Sequence, residues 1–229
     1  MDLSAQQSPP APALPCPVEA ARYALLRRLA PSFRHHLVVN LQPIGMVYEV
    51  LDRRLRMPAP DLEHVREGAH KINTLARAAL DSCLDVVTWL APDESAPTGV
   101  PEGVSECLGL LTTSLTFRGY AVRNQVPPLP GRVRRAALRN VLTGAMVYLT
   151  DEGTAPADLA ITGAAGPQAL LLTLTLQPTD AQPGFSSEAP YRRLQWSDLE
   201  ALATAESVQV TREGSSVQLA VAWMGGSGS

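Results

Sequence analysis

Residues 33–55 read FRHHLVVNLQPIGMVYEVLDRRL and carry the pattern of one long amphipathic helix. Apolar residues recur here at spacings of three and four, which places them on one side of a helix with about 3.6 residues per turn. They are Phe33, Leu37, Leu41, Ile44, Tyr48, Leu51 and Leu55. The helical pattern begins near Val18. Pro31 is predicted to interrupt or restart the helix, and Pro43 is predicted to bend it.

A second helix is predicted after a short connection at residues 56–60. Asp61 has the residue type of a helix N-cap, and His64 takes the third helical position, where a capping box has Glu. The apolar stripe that follows comprises Leu62, Val65, Ala69, Ile72, Leu75 or Ala76, Ala79, Cys83, Val86 or Val87, and Leu90. Two long helices with so short a connection lie antiparallel. Because nothing else in this segment covers the wide apolar face, we predict a homodimer in which two hairpins form a four-helix bundle.

The chain between residues 102 and 223 has the pattern of a separate α+β domain, with helices on one face of a mixed sheet. The predicted elements are helices at 102–118, 131–149 and 197–205, the last capped by Ser197, and strands at 120–126, 158–162, 169–176, 208–211 and 216–222. The predicted organisation is a disordered Pro-rich lead at 1–17, the hairpin at 18–91, a linker at 92–101, this domain, and a flexible tail at 224–229. The predicted fold class is therefore α+β.

The composition argues against several classes of protein. A formal net charge of −3 over 229 residues argues against nucleic acid as a partner, and no apolar run is long enough to span a membrane. Cys16, Cys83 and Cys107 form no metal-binding motif and predict reduced thiols. No basic stretch precedes an apolar one at the start, so a secretory signal is not expected. Together with the reduced thiols, this predicts a cytoplasmic protein. A cluster of arginines is interpreted as a solvated surface in preference to a site for phosphate or an acidic partner: Arg132, Arg134, Arg135 and Arg139.

The surroundings of His35 resemble the dimerisation and phosphoacceptor domain of bacterial sensor histidine kinases. In that family apolar residues follow the phosphoacceptor histidine at +2, +6 and +9, and these positions are Leu37, Leu41 and Ile44 here. The segment 40–44, NLQPI, is also similar to the NLQVI that follows the phosphoacceptor in one subgroup of kinases. The resemblance therefore implies that His35 is the phosphoacceptor.

Two features depart from the family pattern. His36 stands where the family usually has an acidic or basic residue that assists proton transfer, and Pro43 lies farther from the histidine than the kink proline usually does. His36 is the second candidate for the phosphoacceptor. The residues at +2, +6 and +9 would then be Val38, Gln42 and Gly45, a poorer set for burial.

The second half of the chain resembles the ATP-binding domain of the same kinases, the GHKL type, in its order of elements. Residues 136–148, AALRNVLTGAMVY, look like its N-box helix, in which an asparagine helps to hold Mg²⁺ and the phosphates. Gly144 stands at that position, and Asn140 matches a weaker one. Phosphate loops need glycines that let backbone amides approach, but the only GxG is at 226–228, and the only lysine, Lys71, lies on the second hairpin helix. Neither a nucleotide cofactor nor a bound metal is expected.

A dimeric hairpin with a histidine, followed by a kinase-like domain without its ATP site, resembles the stand-alone histidine phosphotransferases of bacterial phosphorelays. The resemblance implies that His35, or else His36, takes phosphate from one response-regulator receiver domain and passes it to another. Arg34, Val38 and Gln42 are the predicted docking residues, and Mg²⁺ is expected only on the receiver. The alternatives are a non-catalytic dimeric scaffold that binds a regulator or kinase, and a kinase or ATPase with a divergent site.

Overall fold

The computed structural model describes residues 16–181, 184–185 and 191–225 and begins with two long helices. Helix α1 spans Cys16–Leu55, and α2 spans Leu62–Leu90. The predicted lead at 1–17 lies outside the described residues except for its last two, which belong to α1. The predicted tail is described only as far as Gly225.

Helix α1 runs without a break through Pro31 and Pro43, so the predicted interruption at Pro31 is wrong. A proline removes one backbone hydrogen bond from a helix. Burial on both sides compensates, because Leu29 and Phe33 are both buried. The ring of Phe33 packs edge-to-face on Trp89 of α2, with 5.9 Å between ring centroids. Tertiary packing thus maintains the helix where the local signal favours a break.

The predicted N-cap of α2 is confirmed. The Asp61 carboxylate accepts hydrogen bonds from the backbone N–H groups of Glu63 and His64, at 3.0 and 3.3 Å. The Nδ1 atom of His64 lies 2.6 Å from the other oxygen of this carboxylate. The hydrogen bond with the His64 side chain contributes most to a lowered pKa of Asp61.

The rest of the chain forms a mixed sheet with helices on one face. Its elements are β1 Pro97–Gly99, α3 Val100–Phe117, β2 Tyr120–Gln125, β3 Arg132–Arg134, α4 Arg135–Ala137, a π-helical turn Leu138–Leu142, α5 Thr143–Glu152, β4 Ala157–Ala165, β5 Ala169–Pro178, α6 Trp196–Ala205, β6 Gln209–Glu213 and β7 Ser216–Ala222. Five strands form the sheet in the order β2-β4-β5-β7-β6, in which only β2 and β4 pair in parallel. The predicted α+β class is confirmed.

The predicted helix at 131–149 begins later than expected. Residues Arg132–Arg134 form β3, which pairs antiparallel with β1, and helical structure starts only at Arg135. Strand β1 lies inside the segment 92–101 that the sequence predicts as a linker. Pairing between two segments more than thirty residues apart is a long-range contact that a local pattern does not show.

Helix α6 begins one residue before the predicted cap Ser197, with Gln195 as the capping residue. The carboxylate of Asp198 accepts a hydrogen bond from the backbone N–H of Gln195 at 2.8 Å. The same carboxylate pairs with Arg192, and this interaction is the main cause of a lowered pKa of Asp198.

The first half of α1 belongs to the core of the α/β part, although the sequence analysis assigns it to the hairpin at 18–91. Its buried residues include Ala21, Ala24, Leu25 and Leu29. They pack against α3 and α6, so this half of α1 lies over the helices that cover the sheet. The hairpin itself comprises only α2 and the second half of α1.

The apolar stripe predicted on α1 divides into two faces. Phe33, Leu37, Ile44 and Leu51 are buried or half-buried. Leu41, Tyr48 and Leu55 are exposed. One partner helix covers only part of so wide an apolar arc, and the rest remains open in a single chain.

Candidate functional site

The two histidines His35 and His36 lie about one turn after Pro31, where α1 leaves the α/β core and enters the hairpin. His35 is exposed and His36 is half-buried. Their ring centroids are 6.2 Å apart, and neither ring has a hydrogen-bond partner among the described residues. An exposed imidazole of this kind is accessible to an electrophile that a second protein carries.

A cleft of about 400 Å³ opens beside the histidines, between α1 and the end of α3. From α1 it is lined by Ser32, Arg34, His35 and His36. From α3 it is lined by Thr113, Ser114, Phe117 and the following residue, Arg118, among others. The sequence predicts Arg34 beside the histidines, but not the side of the cleft that α3 supplies.

The guanidinium of Arg118 is held in a defined position. It donates hydrogen bonds to the carbonyl of Thr150 at 2.8 Å and to the carboxylate of Asp151 at 3.2 Å. It also lies 5.3 Å from the centroid of the Tyr120 ring. Burial raises the pKa of the Tyr120 phenol, which donates to the same carbonyl at 2.9 Å. One wall of the cleft therefore carries a fixed positive charge.

Asp151 is a buried carboxylate that connects α1 to α5. Both terminal nitrogens of Arg28 donate to it, with 2.6 Å between Nη2 and Oδ1. The carboxylate also accepts from the backbone N–H of Leu194 at 3.0 Å, and Arg193 donates to the carbonyl of Asp151 at 3.2 Å. These bonds join α1, the end of α5 and the segment that precedes α6.

The predicted docking residues Arg34, Val38 and Gln42 are all exposed on α1. Because they are spaced by four residues, they lie on successive turns along one side of the helix. Of the three, only Arg34 lines the cleft. Their part in docking stays a prediction.

Burial along α1 distinguishes the two candidate phosphoacceptors. For His35 the residues at +2, +6 and +9 are Leu37, Leu41 and Ile44; for His36 they are Val38, Gln42 and Gly45. In the first set two residues are half-buried, whereas all three of the second set are exposed. In the single chain Leu41 is 51% exposed on the outer face of the hairpin, so its burial depends on the predicted second copy and stays a prediction. The pattern still favours His35.

The helix that resembles an N-box is occupied by internal contacts at both of its motif positions. Asn140 donates to the buried carboxylate of Glu206 at 2.7 Å, and Arg22 of α1 donates to the same oxygen at 2.9 Å. Gly144 packs against α6, where a Cβ atom would lie 3.0 Å from Cδ1 of Leu202. A longer side chain at position 144 would displace this packing.

The interpretation of the arginine cluster as a solvated surface is wrong for Arg139, which is buried. Its guanidinium donates to Glu106 of α3 and to Asp85 of α2, the latter at 3.1 Å. It also donates to Thr88 at 2.9 Å and lies 4.7 Å from the centroid of the Trp89 ring. Arg139 thus attaches the end of α2 to the α/β part.

Arg28, Arg118 and Asp151 are residues of this region that the sequence analysis misses. Asp151 lies 33 residues from Arg118 and 123 from Arg28, so no local pattern joins them. One signal was available: Asp151 follows a run of mostly apolar residues at 141–149. A carboxylate that is buried at the end of so apolar a helix needs a cation as its partner.

Among solved structures, the chain is similar to a histidine kinase from Burkholderia phymatum, with 16% identity, 88% of this chain and 98% of that chain covered, and a TM-score of 0.44. The histidine kinase AdeS of Acinetobacter baumannii has 13% identity over 79% of this chain and 96% of its own, with a TM-score of 0.42. A structure described as a bacterial phosphotransferase has 12% identity over 93% of this chain and 100% of its own, with a TM-score of 0.38. At such low identities and scores, function must be argued from the residues of the chain itself.

No protein-family model matches the chain, and no curated protein matches it at a significant level. In the part of the chain that the structure describes, no helix combines the length and apolar character needed to cross a bilayer. Over the same residues, His, Cys, Asp and Glu side chains form no group of three that could hold a metal ion.

Proposed function

We propose that this protein is a histidine phosphotransfer protein of a bacterial two-component pathway, which exchanges phosphate with receiver domains without using ATP. The observation that carries the proposal is the exposed imidazole of His35 at the edge of an arginine-lined cleft. An unprotonated ring nitrogen attacks the phosphorus of the receiver's aspartyl phosphate. The N–P bond forms as the bond from phosphorus to the carboxyl oxygen breaks, and the aspartate leaves as a carboxylate. Mg²⁺ on the receiver would neutralise charge on the phosphoryl oxygens.

The contacts of the N-box-like helix support a route without nucleotide. Asn140 is bonded to Glu206, and Gly144 offers no side chain to a phosphate or metal. In the proposed pathway the phosphoryl group arrives already activated on an aspartate. Positions 140 and 144 therefore need not bind a nucleotide and can make internal contacts instead. The α/β part then acts as a structural support for α1.

In this proposal the protein is a homodimer. A second copy covers the outer face of the hairpin, the side on which Leu41 is exposed. Asn40 and Ser82 meet across the hairpin at 3.1 Å, and Leu41 and Cys83 follow them directly. Antiparallel helices turn in opposite senses when viewed from one end, so these two following residues lie on the same side of the hairpin. Exposed leucines on both helices make this side apolar, and a two-fold axis brings the same surface of each copy together.

Dimerisation leaves His35 accessible in this arrangement. His35 lies six residues before Leu41, which is about 240° around the helix. The imidazole is therefore outside the apolar side that the second copy covers. A bundle of four helices and an exposed histidine are compatible on the same hairpin.

Glutamates on the outer face are expected to separate the dimer. Leu41 and Leu80, one on each helix, are 51% and 58% exposed in the single chain. Burying two carboxylates per chain in an apolar interface costs more than the contacts return. Light scattering should give the mass of two chains for the wild type and of one chain for the Leu41→Glu, Leu80→Glu variant.

The matched control is Leu171→Glu on the outer face of the sheet, where the leucine is 46% exposed. This variant should keep the mass of two chains. A wild type with the mass of one chain would contradict the proposed dimer, as would a Leu171→Glu variant that separates equally.

Phosphate uptake tests the proposed function directly. Wild type incubated with a receiver domain carrying labelled aspartyl phosphate should gain acid-labile label, and incubation with labelled ATP alone should give none. The His35→Ala, His36→Ala variant should gain no label from either source, because no nucleophile remains on this part of α1. Label is counted after separation of the two proteins.

The control removes the other two histidines of the chain, His64 and His70, both of which are exposed on α2. A His64→Ala, His70→Ala variant should take up as much label as the wild type. The proposal fails if the wild type takes none, or if loss of His35 and His36 changes nothing.

The second candidate function is a non-catalytic scaffold that sequesters or bridges a regulator or kinase. One observation favours it: neither His35 nor His36 has a hydrogen-bonded carboxylate among the described residues to orient its ring. A scaffold would bind its partner equally well after both histidines are replaced by alanine. Calorimetric titration of the double variant with a receiver, combined with the absence of label uptake by the wild type, would select this function.

A further inference from the structure

Among the described residues, the lining of the cleft between α1 and α3 includes two guanidiniums, those of Arg34 and Arg118, and no carboxylate. Behind this lining, the carboxylate of Asp151 pairs with two guanidiniums, those of Arg28 and Arg118, and Arg193 donates to the backbone carbonyl of Asp151. Arg28 occupies both oxygens of this carboxylate, so the charge of Arg118 is only partly neutralised. The side chain of Arg118 is 22% exposed, and the surface it keeps lines the cleft.

A partly desolvated positive charge is stabilised when an anion pairs with it. Arg118 retains free N–H groups, since its hydrogen bonds to described residues involve Nη1 once and Nη2 twice and leave Nε without a partner there. Thr113 and Ser114 add hydroxyl groups to the same cleft. Two hydroxyls and the remaining N–H groups of Arg118, on Nε and Nη1, form a donor set suited to the tetrahedral oxygens of a phosphate.

The cleft also contains the proposed phosphoacceptor. Along α1, Arg28, Ser32 and His35 follow at spacings of four and three, which places them on neighbouring parts of one side of the helix. Arg28 contacts the carboxylate that Arg118 contacts, and both Ser32 and His35 line the cleft. The arginine and the imidazole therefore belong to the same cavity.

We infer that Arg118 binds the phosphoryl group after its transfer to His35, so that the α/β part stabilises the phosphohistidine. The inference rests on the proposed function, and the ligand is a phosphate dianion. Asp151 and Arg28 are positioning residues, since they hold the Arg118 guanidinium without touching the ligand. The same donors would bind free orthophosphate, which supplies a probe that needs no receiver domain.

Orthophosphate titrated into the wild-type protein at constant ionic strength should bind with a Kd on the order of 1 mM. Arg118→Gln should weaken this binding by about tenfold or more, because a charge-assisted hydrogen bond is lost. Arg123→Gln is the control, since Arg123 is an exposed arginine on β2 paired with Asp158. The control should bind orthophosphate as the wild type does. NMR shifts of the histidine rings report the binding.

A second variant leaves the contacts of Arg118 intact. Thr113→Asp places a carboxylate in the cleft from an exposed position and should also weaken binding by about tenfold through repulsion of the dianion. Thr112→Asp, next to it but outside the cleft lining, should have little effect. The inference would be overturned if the wild type bound no orthophosphate, or if both cleft variants bound it as tightly as the wild type does.

Chemical phosphorylation of the histidine, here called loading, distinguishes a cleft that serves the phosphoryl group of phosphohistidine from one that binds only free orthophosphate. Phosphoramidate transfers its phosphoryl group to the imidazole as ammonia leaves, so the P–N bond of the reagent is exchanged for one to the ring. The loaded protein should no longer bind orthophosphate, since its own phosphoryl group occupies the cleft. Undiminished binding after loading would overturn the assignment to phosphohistidine. Orthophosphate binding as expected, without uptake from a receiver, would count against the proposed function alone.

Discussion

Replacement of Asp151 by asparagine is expected to destabilise the fold by about 3–5 kcal/mol, the cost of leaving a buried charge without its partner. The carboxylate is buried and accepts hydrogen bonds from Arg28, Arg118 and the backbone of Leu194. Asparagine preserves the size of the side chain but removes the negative charge that these guanidiniums share. The measurement is the free energy of unfolding in urea, at one protein concentration because dimer stability depends on it.

The matched control is Asp158→Asn on β4. Asp158 pairs with Arg123 at 3.2 Å, but the two side chains are 28% and 59% exposed. Exposed ion pairs contribute less than about 1 kcal/mol, so this variant should unfold nearly as the wild type does. Equal losses for the two variants would show that the Asp151 pair is not the buried connection between α1 and α5 that its contacts indicate.

Leu29→Ala is expected to destabilise the protein by about 2–5 kcal/mol, because it creates a cavity in a closely packed core. Leu29 lies in the first half of α1 and is fully buried in the core that this half shares with the α/β part. The loss should appear in a single transition that includes the sheet, since this half of α1 is part of the α/β core. Far-ultraviolet circular dichroism during urea unfolding reports both the helices and the sheet.

The corresponding substitution at a partly exposed position provides the comparison. Leu171→Ala on β5 removes the same atoms from a side chain that is 46% exposed, and its cost should stay near 0.5 kcal/mol, roughly the limit for surface substitutions. If the two leucines gave equal losses, the first half of α1 would be a detachable segment. The hairpin would then be free to move relative to the α/β part.

The sequence predicted those elements well whose caps and turns depend on contacts within a few residues. The Asp61 cap depends on contacts within three residues, and it was predicted and found. The paired strands β6 and β7 follow from the patterns predicted as strands at 208–211 and 216–222. Pro31 is the exception, because a proline is a strong local signal against a helix and burial of its neighbours outweighs it.

The candidate site was predicted only on the α1 side. His35, His36 and Arg34 come from one stretch of helix, and the structure places all three in one cleft. The opposite side, with Arg118, depends on how α3 packs against α1. Contacts of this kind involve residues far apart in the chain, for which a single sequence has no periodic signal.

The sequence by itself determined the elements of this protein: two long antiparallel helices, an α+β part, and a histidine followed by apolar residues on the first helix. These follow from periodicity, caps and turns, which act over a few residues. Only the tertiary structure decided which part of each apolar stripe is covered and which charges are paired. It places the first half of α1 in the α/β core and joins Arg28 to Asp151 across 123 residues. The physical reason is that burial and ion pairing depend on proximity in space, whereas helix and strand patterns depend on proximity along the chain.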